Sequence, residues 1–228
     1  MSWKDMRWWN SGEKQVIDQN LKDVGAFYPG KQLMYRALRE VPPNRVKVAI
    51  IGQDPYPAWY ATGLAFDVPE SLWPLPLSLQ NIFKEYCNDL SLSPPSHGSL
   101  EAWVKQGVLL WNTLPTCTSP LSHDWVEYQD LNRQIINQIE AEANNPVFVL
   151  VGAVARRNRM FIQTNRVVEV SHPSPRGAYK GVNPFMGSRL FSKTNELLVA
   201  GGNPAIDWRL PNAEDTETVQ TNEVFTPE

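Results

Sequence analysis

Cysteine is nearly absent, with two in 228 residues, Cys87 and Cys117. That excludes a disulfide framework, and no CxxC spacing points to zinc. The pair reads as reduced thiols of an intracellular protein. Long hydrophobic runs are lacking too. No stretch approaches the roughly 18 apolar residues of a membrane span. The opening MSWKDMRWWN has no basic segment leading into an apolar one, so no secretory signal is expected. Glycine and proline together make about 14% of the chain, far below a low-complexity composition. No internal repeat is visible. What remains is 42% hydrophobic, 20% charged and 11% aromatic, enough for one domain with a sizeable core.

The net charge of −3 argues against a nucleic-acid partner until it is mapped along the chain. Residues 211–228 carry five acids and no base, which leaves 21 basic against 19 acidic residues in the rest. That tail is polar and is expected to be disordered, with residues 1–210 as the folded domain. Residues 156–193 hold eight bases (Arg156, Arg157, Arg159, Arg166, Arg176, Lys180, Arg189 and Lys193) and one acid, Glu169. A phosphate-facing surface needs such a concentration. A solvated basic face with no partner is the competing reading.

Four short apolar runs stand out: 46–52 (VKVAIIG), 107–112 (GVLLWN), 146–152 (PVFVLVG) and 166–171 (RVVEVS). The first three are almost continuously apolar, as in strands buried on both faces. Helical periodicity fills 78–90, 127–144, 153–163 and 188–200, and the first 45 residues read as helical with breaks at Gly30 and Pro42-Pro43. Alternation of this kind predicts a three-layer α/β/α fold, a central four-stranded parallel sheet flanked by helices. Each run ends in polar or Gly-rich residues. In an open parallel sheet these endings share one edge, where ligands bind. Asp54, Asn112 and His172 are thereby expected to meet in one crevice.

The order of GQDPYP (52–57), GLAF (63–66), PLPLS (74–78), GVLLWNT (107–113), HPSP (172–175), FSKTNELL (191–198) and IDW (206–208) resembles a family 1 uracil-DNA glycosylase, in the style of the eukaryotic and large-DNA-virus branch. The likeness runs over about residues 10–210 and rests on the motifs together, each being weak or moderate alone. It implies excision of uracil from single- and double-stranded DNA by a base-flipping monomer. No metal, nucleotide cofactor or Schiff-base lysine is implied. A DNA-mimicking protein inhibitor is an implied partner, and a membrane is not. The expected compartment is the nucleus or wherever DNA is replicated.

Breaking the bond to deoxyribose C1′ makes the sugar cation-like and the uracil anionic. The resemblance gives Asp54 the sugar and the attacking water. It gives His172, neutral, the role of donor to uracil O2. Asn112 would pair with uracil N3–H and O4, a pattern that cytosine reverses. Phe66 would stack on the ring, Tyr56 would exclude the thymine methyl, and Gln53 would offer backbone donors. Ser78, as helix N-cap and phosphate donor, Gly152-Ala153 and Ser174 would grip the DNA backbone. His97 and His123 read as surface residues.

Two departures stand out. Pro57 replaces a histidine that many members use to hold a phosphate. Arg176 replaces the leucine that usually fills the gap left by the flipped base; it would fill part of that gap or pair with phosphate. Phe185 or Met186 would serve as another wedge, or their segment would be a surface loop. Trp8, Trp9, Trp59, Trp73, Trp103 and Trp125 would stack bases or, for most of them, pack. A DNA-binding replication accessory keeping the fold is the rival function. A glycosylase of broader range is disfavoured by the pairing of Asp54 with Tyr56.

Overall fold

The near-continuous apolar runs become β1 (Val48–Gly52), β2 (Val108–Asn112) and β3 (Val147–Val151), every residue of which is buried. The fourth becomes β4 (Val167–Val170), whose alternate residues are half-buried. This is a computed structural model, and it describes residues 2–119 and 121–210. The acidic tail expected at 211–228 lies outside the described residues. All strand pairs are parallel, in the order β2-β1-β3-β4. Strands buried on both sides need helices on both faces. These include α1 (Gly12–Val24), which packs on α5 (Glu127–Glu142), and α3 (Leu77–Leu90), which packs on α7 (Leu190–Ala200). The expected α/β architecture is the observed one. Among the described residues no helix is long and apolar enough to cross a membrane.

The expected N-terminal helical region is real but broken. It comprises two 3₁₀ turns (Trp3–Asp5 and Arg7–Asn10), α1, α2 (Arg36–Glu40) and a third 3₁₀ turn at Pro43–Arg45. Ser11 starts α1 by accepting the Lys14 N–H at 3.1 Å. The helix expected at 153–163 shortens to α6 (Ala153–Arg156), followed by a 3₁₀ turn at Arg157–Phe161. A five-residue α4 (Glu101–Lys105) was not anticipated. Its Trp103 packs edge-on against Phe191 and Trp208 and donates to the Trp208 carbonyl at 2.7 Å. IDW is thus a clasp for the core.

Two acids of α3 are buried rather than solvated. The Glu85 carboxylate accepts the backbone N–H groups of Gly187 (2.6 Å) and Arg189 (2.8 Å). Asp89 accepts from the Ser192 N–H at 2.9 Å. Together they satisfy donors at the start of α7 that would otherwise be orphaned. At the other end of α3, the buried Asn81 amide donates to the Pro173 carbonyl at 2.8 Å.

Several expectations need correction. Ser78 is not the N-cap of α3. The helix begins at Leu77 with Pro76 before it, and no side chain caps it, because proline carries no side-chain oxygen to accept the first helical N–H groups. His123 is not a surface residue; it is 6% exposed, stacked on Trp125, with Nδ1 3.0 Å from Thr116 Oγ1. Phe185 cannot be a wedge, since it is 1% exposed within the core, and Met186 packs partly against that core. Trp8 and Trp103 are core residues, and Trp9 and Trp125 are half-buried.

Candidate active site

The strand order sets the site. The chain leaves β1, adds β2 on one side, then returns across β1 to add β3 on the other. Such a reversal opens a crevice beyond the carboxyl ends of β1 and β3. Gln53 and Asp54 leave β1 at this edge, and Gly152 and Ala153 leave β3. Asn112 ends β2 in register with Gly52. His172 follows β4 in the next position along the sheet.

Close approach at Gly52 ties three of these segments together. A Cβ there would lie 2.7 Å from Asn112 Oδ1 and 3.1 Å from the Phe66 ring. The Phe66 and His172 ring centroids are 6.1 Å apart. A Cβ on Gly152 would stand 3.2 Å from His172. Four loops therefore converge, and the glycines leave the space between them open.

The endings of β1 and β2 are fastened from below. Thr113 N–H and Oγ1 donate to the Gly52 carbonyl at 3.0 and 2.9 Å, and Leu114 N–H donates to the Gln53 carbonyl at 2.8 Å. Asn158 donates to Thr113 Oγ1 at 2.9 Å, and Asn132 to the Thr113 carbonyl at 2.8 Å. Against this frame the Asn112 side chain is 7% exposed, and its amide bonds to none of the described residues. That leaves the amide free to pair with a ligand presenting a matching donor and acceptor.

Asp54 is held by Ser122, whose Oγ donates to Asp54 Oδ2. Ser122 reaches it from a strand-like loop paired with Cys117, which was not singled out from the sequence. Nothing in the spacing from 54 to 122 signals that contact. Cys117, beneath the same loop, is pushed up to about 12 by burial, with the Asp54 charge adding to the rise. It is a packing thiol, not a nucleophile.

His172 accepts the Ser174 backbone N–H at Nδ1, at 3.1 Å. In the neutral ring this leaves the proton on Nε2. Burial lowers the His172 pKa below the ordinary histidine value, while the Asp54 charge pulls the other way. A histidine with a lowered pKa takes up its proton only at more acidic pH. Its neutral form therefore predominates above about 6.5, and the function and stability linked to it are lost as pH falls from there through the lowered folded value. NMR titration of His172 is expected to give a midpoint below 6.5, with the rate of reaction flat from neutral pH upward. A midpoint at or above 6.5 contradicts the neutral-donor role.

Phe66 adopts φ +65°, the left-handed region, which costs a bulky residue about 1–2 kcal/mol. The loop enforces it. Ala65 N–H donates to the Leu110 carbonyl at 3.1 Å. The next residue, Asp67, is 2% exposed and accepts from Leu100 N–H and Thr62 Oγ1, both at 2.6 Å. Burial lifts the Asp67 carboxyl to about 6 against these donors and Arg36. Strain held in place by its surroundings is a mark of functional sites. Tyr56 is braced similarly, its hydroxyl donating to the Phe66 carbonyl at 3.4 Å and its ring lying 5.6 Å from Tyr60.

The remaining residues lie around the rim. Pro57 and Arg176 are exposed, and Arg176 has no ion-pair partner among the described residues. Gly177 allows the tight turn after it, since a Cβ there would meet the His172 carbonyl at 2.7 Å. The basic run is not one face. Arg157, Arg159 and Arg189 pair with Asp124, Glu169 and Asp89, and Arg166 binds Asn145 at the opposite end of the sheet. A groove of about 640 Å³ runs along β4 between Val168 and Lys193 and carries none of the candidate residues.

Residues 38–199 match the uracil DNA glycosylase superfamily. The chain belongs to that superfamily. Among curated relatives, a uracil-DNA glycosylase of Coxiella burnetii (strain CbuG_Q212) is 43% identical over 205 residues, covering 86% of this chain and 88% of the relative. One from Limosilactobacillus reuteri (strain DSM 20016) is 42% identical over 190 residues, 81% of each chain. The crystal structure of mimivirus uracil-DNA glycosylase overlays with a TM-score of 0.77 at 25% identity, covering 91% of this chain and 83% of that one. A mimivirus variant in complex with UGI overlays at 0.78, also at 25% identity, covering 91% and 84%.

Proposed function

We propose that this member of the superfamily hydrolyses the N-glycosidic bond of deoxyuridine in DNA, leaving an abasic site for base excision repair. The observation that carries the reading is the Asn112 amide, unpaired on a largely covered side chain, beside Phe66 and within the loops that bear Asp54 and His172. Uracil offers N3–H and O4 to that amide and a face to Phe66. Its C5–H fits against Tyr56. As the bond lengthens, charge builds at O2, where His172 Nε2–H donates, while the Asp54 carboxylate faces the cationic sugar and orients water. The bond is unreachable in a duplex, so the nucleotide flips out. Gln53, Ser78, Gly152, Ala153 and Ser174 contribute backbone or hydroxyl contacts, with Pro57 and Arg176 at the rim.

The motif style matches the eukaryotic and large-virus branch, and the mimivirus likeness supports that. The bacterial relatives at 42–43% identity weigh the other way. A DNA-mimicking protein inhibitor fits the same crevice, supported by the mimivirus complex with UGI. Residues 1–210 form one domain in this reading, supported by a hydrophobic core that spans Trp3 to Leu210. Two free cysteines suit a reducing compartment where DNA is replicated.

The test is an oligonucleotide with one deoxyuridine, followed by alkaline cleavage at abasic sites. Strand scission is expected with uracil and none with thymine or cytosine, falling steeply with added salt as phosphate contacts are screened. DNA binding without scission would favour the replication-accessory reading.

A further inference from the structure

Trp59 is 74% exposed, an unusual place for an indole. It sits on a short turn, where Ala61 N–H donates to the Ala58 carbonyl at 3.0 Å and Ala58 N–H to the Tyr56 carbonyl at 2.9 Å. Trp59 and Tyr60 occupy the two central positions of that turn, and Pro57 stiffens its entry. The indole contacts Tyr60 at 5.7 Å and 84°, and Tyr60 contacts Tyr56 at 5.6 Å. Three rings thus step outward from the pocket wall to solvent. The other widely exposed aromatics, Trp73 and Tyr179, have no ring contact among the described residues.

We propose that Trp59 is a stacking platform for the nucleobase adjacent to the flipped uracil in the same strand. The inference rests on the uracil reading of the pocket and adds a subsite to it. When the uracil leaves the stack, its neighbour loses one stacked face. An indole fixed on a rigid turn, two ring contacts from the pocket wall, replaces that face. Any base serves, because each presents a π-surface. The subsite therefore favours opened or single-stranded DNA without reading sequence.

The experiment is a cycle of two proteins and three substrates. Wild type and Trp59→Ala are assayed on a single-stranded oligonucleotide with one deoxyuridine. They are also assayed on two derivatives in which the 5′ or the 3′ neighbour is a tetrahydrofuran lacking a base. In wild type, losing one of the two neighbours is expected to raise KM about tenfold. Trp59→Ala should raise KM about tenfold on the intact strand and show no further loss with either derivative, while Trp59→Phe restores most of the affinity. An unchanged KM for Trp59→Ala overturns the proposal. So does a rise of equal size with and without each neighbouring base. If wild type releases no uracil at all, the underlying reading fails separately. The same cycle, read as Kd by fluorescence anisotropy, then still decides whether Trp59 meets a base.

Discussion

Asp54→Asn is expected to slow uracil release by about a thousandfold while affinity for abasic DNA stays within a few-fold of wild type. The substitution keeps shape and removes charge. Ser122 Oγ can donate to an amide oxygen as it does to Asp54 Oδ2, so the side chain stays in place. The Gly52 and Gln53 carbonyls remain fastened by Thr113 and Leu114, so the loop does not shift. What disappears is the attraction between a carboxylate and a sugar that turns cationic. At about 4 Å and an effective dielectric of about 20, one such pair is worth about 4 kcal/mol. That is about three orders of magnitude in rate. Single-turnover release of uracil measures the step directly. A rate within tenfold of wild type would remove Asp54 from the role given to it.

Tyr56→Ala is expected to convert a uracil-selective site into one that also releases thymine. Thymine differs from uracil by one methyl at C5, so discrimination must be steric. The Tyr56 ring is suited to that because it cannot swing aside. Its hydroxyl is tied to the Phe66 carbonyl and its ring is wedged against Tyr60. Burial also drives its hydroxyl pKa well above the ordinary tyrosine value, so it stays a neutral donor. Forcing a methyl into a filled, rigid site costs about 1–3 kcal/mol or more. Removing the ring should raise thymine release from a T-containing oligonucleotide by about a hundredfold, with a smaller fall for uracil as packing is lost. If thymine remains refused, the exclusion lies in another residue.

The strands were legible because full burial demands continuous apolar residues, and the site followed because parallel strands end on one edge. Asp54, Asn112 and His172 could be placed in one crevice without coordinates for that reason. Side-chain partnerships across long separations were not legible. Ser122 reaches Asp54 from 68 residues away. Glu85 and Asp89 sit among polar residues of an amphipathic helix, where solvation is the ordinary reading, yet they cap α7 a hundred residues on. The basic run looked like a surface because charges were counted along the chain, whereas folding pairs two of them with distant acids, Asp124 and Asp89, and a third with Glu169 of the run itself. His123 was misread because its polar flanks hide its stacking on Trp125.

The bond from Asn81 to the Pro173 carbonyl has a mechanical meaning. Ser78 and Asn81 ride on the same helix, and Pro173 joins His172 to Ser174. The start of α3 and the turn after β4 are therefore joined directly by a buried hydrogen bond. The far end of the same helix is anchored to α7 through Glu85 and Asp89. In the proposed reading, in which Ser78 and Ser174 meet the DNA backbone, the span between these two contacts is preset by that bond.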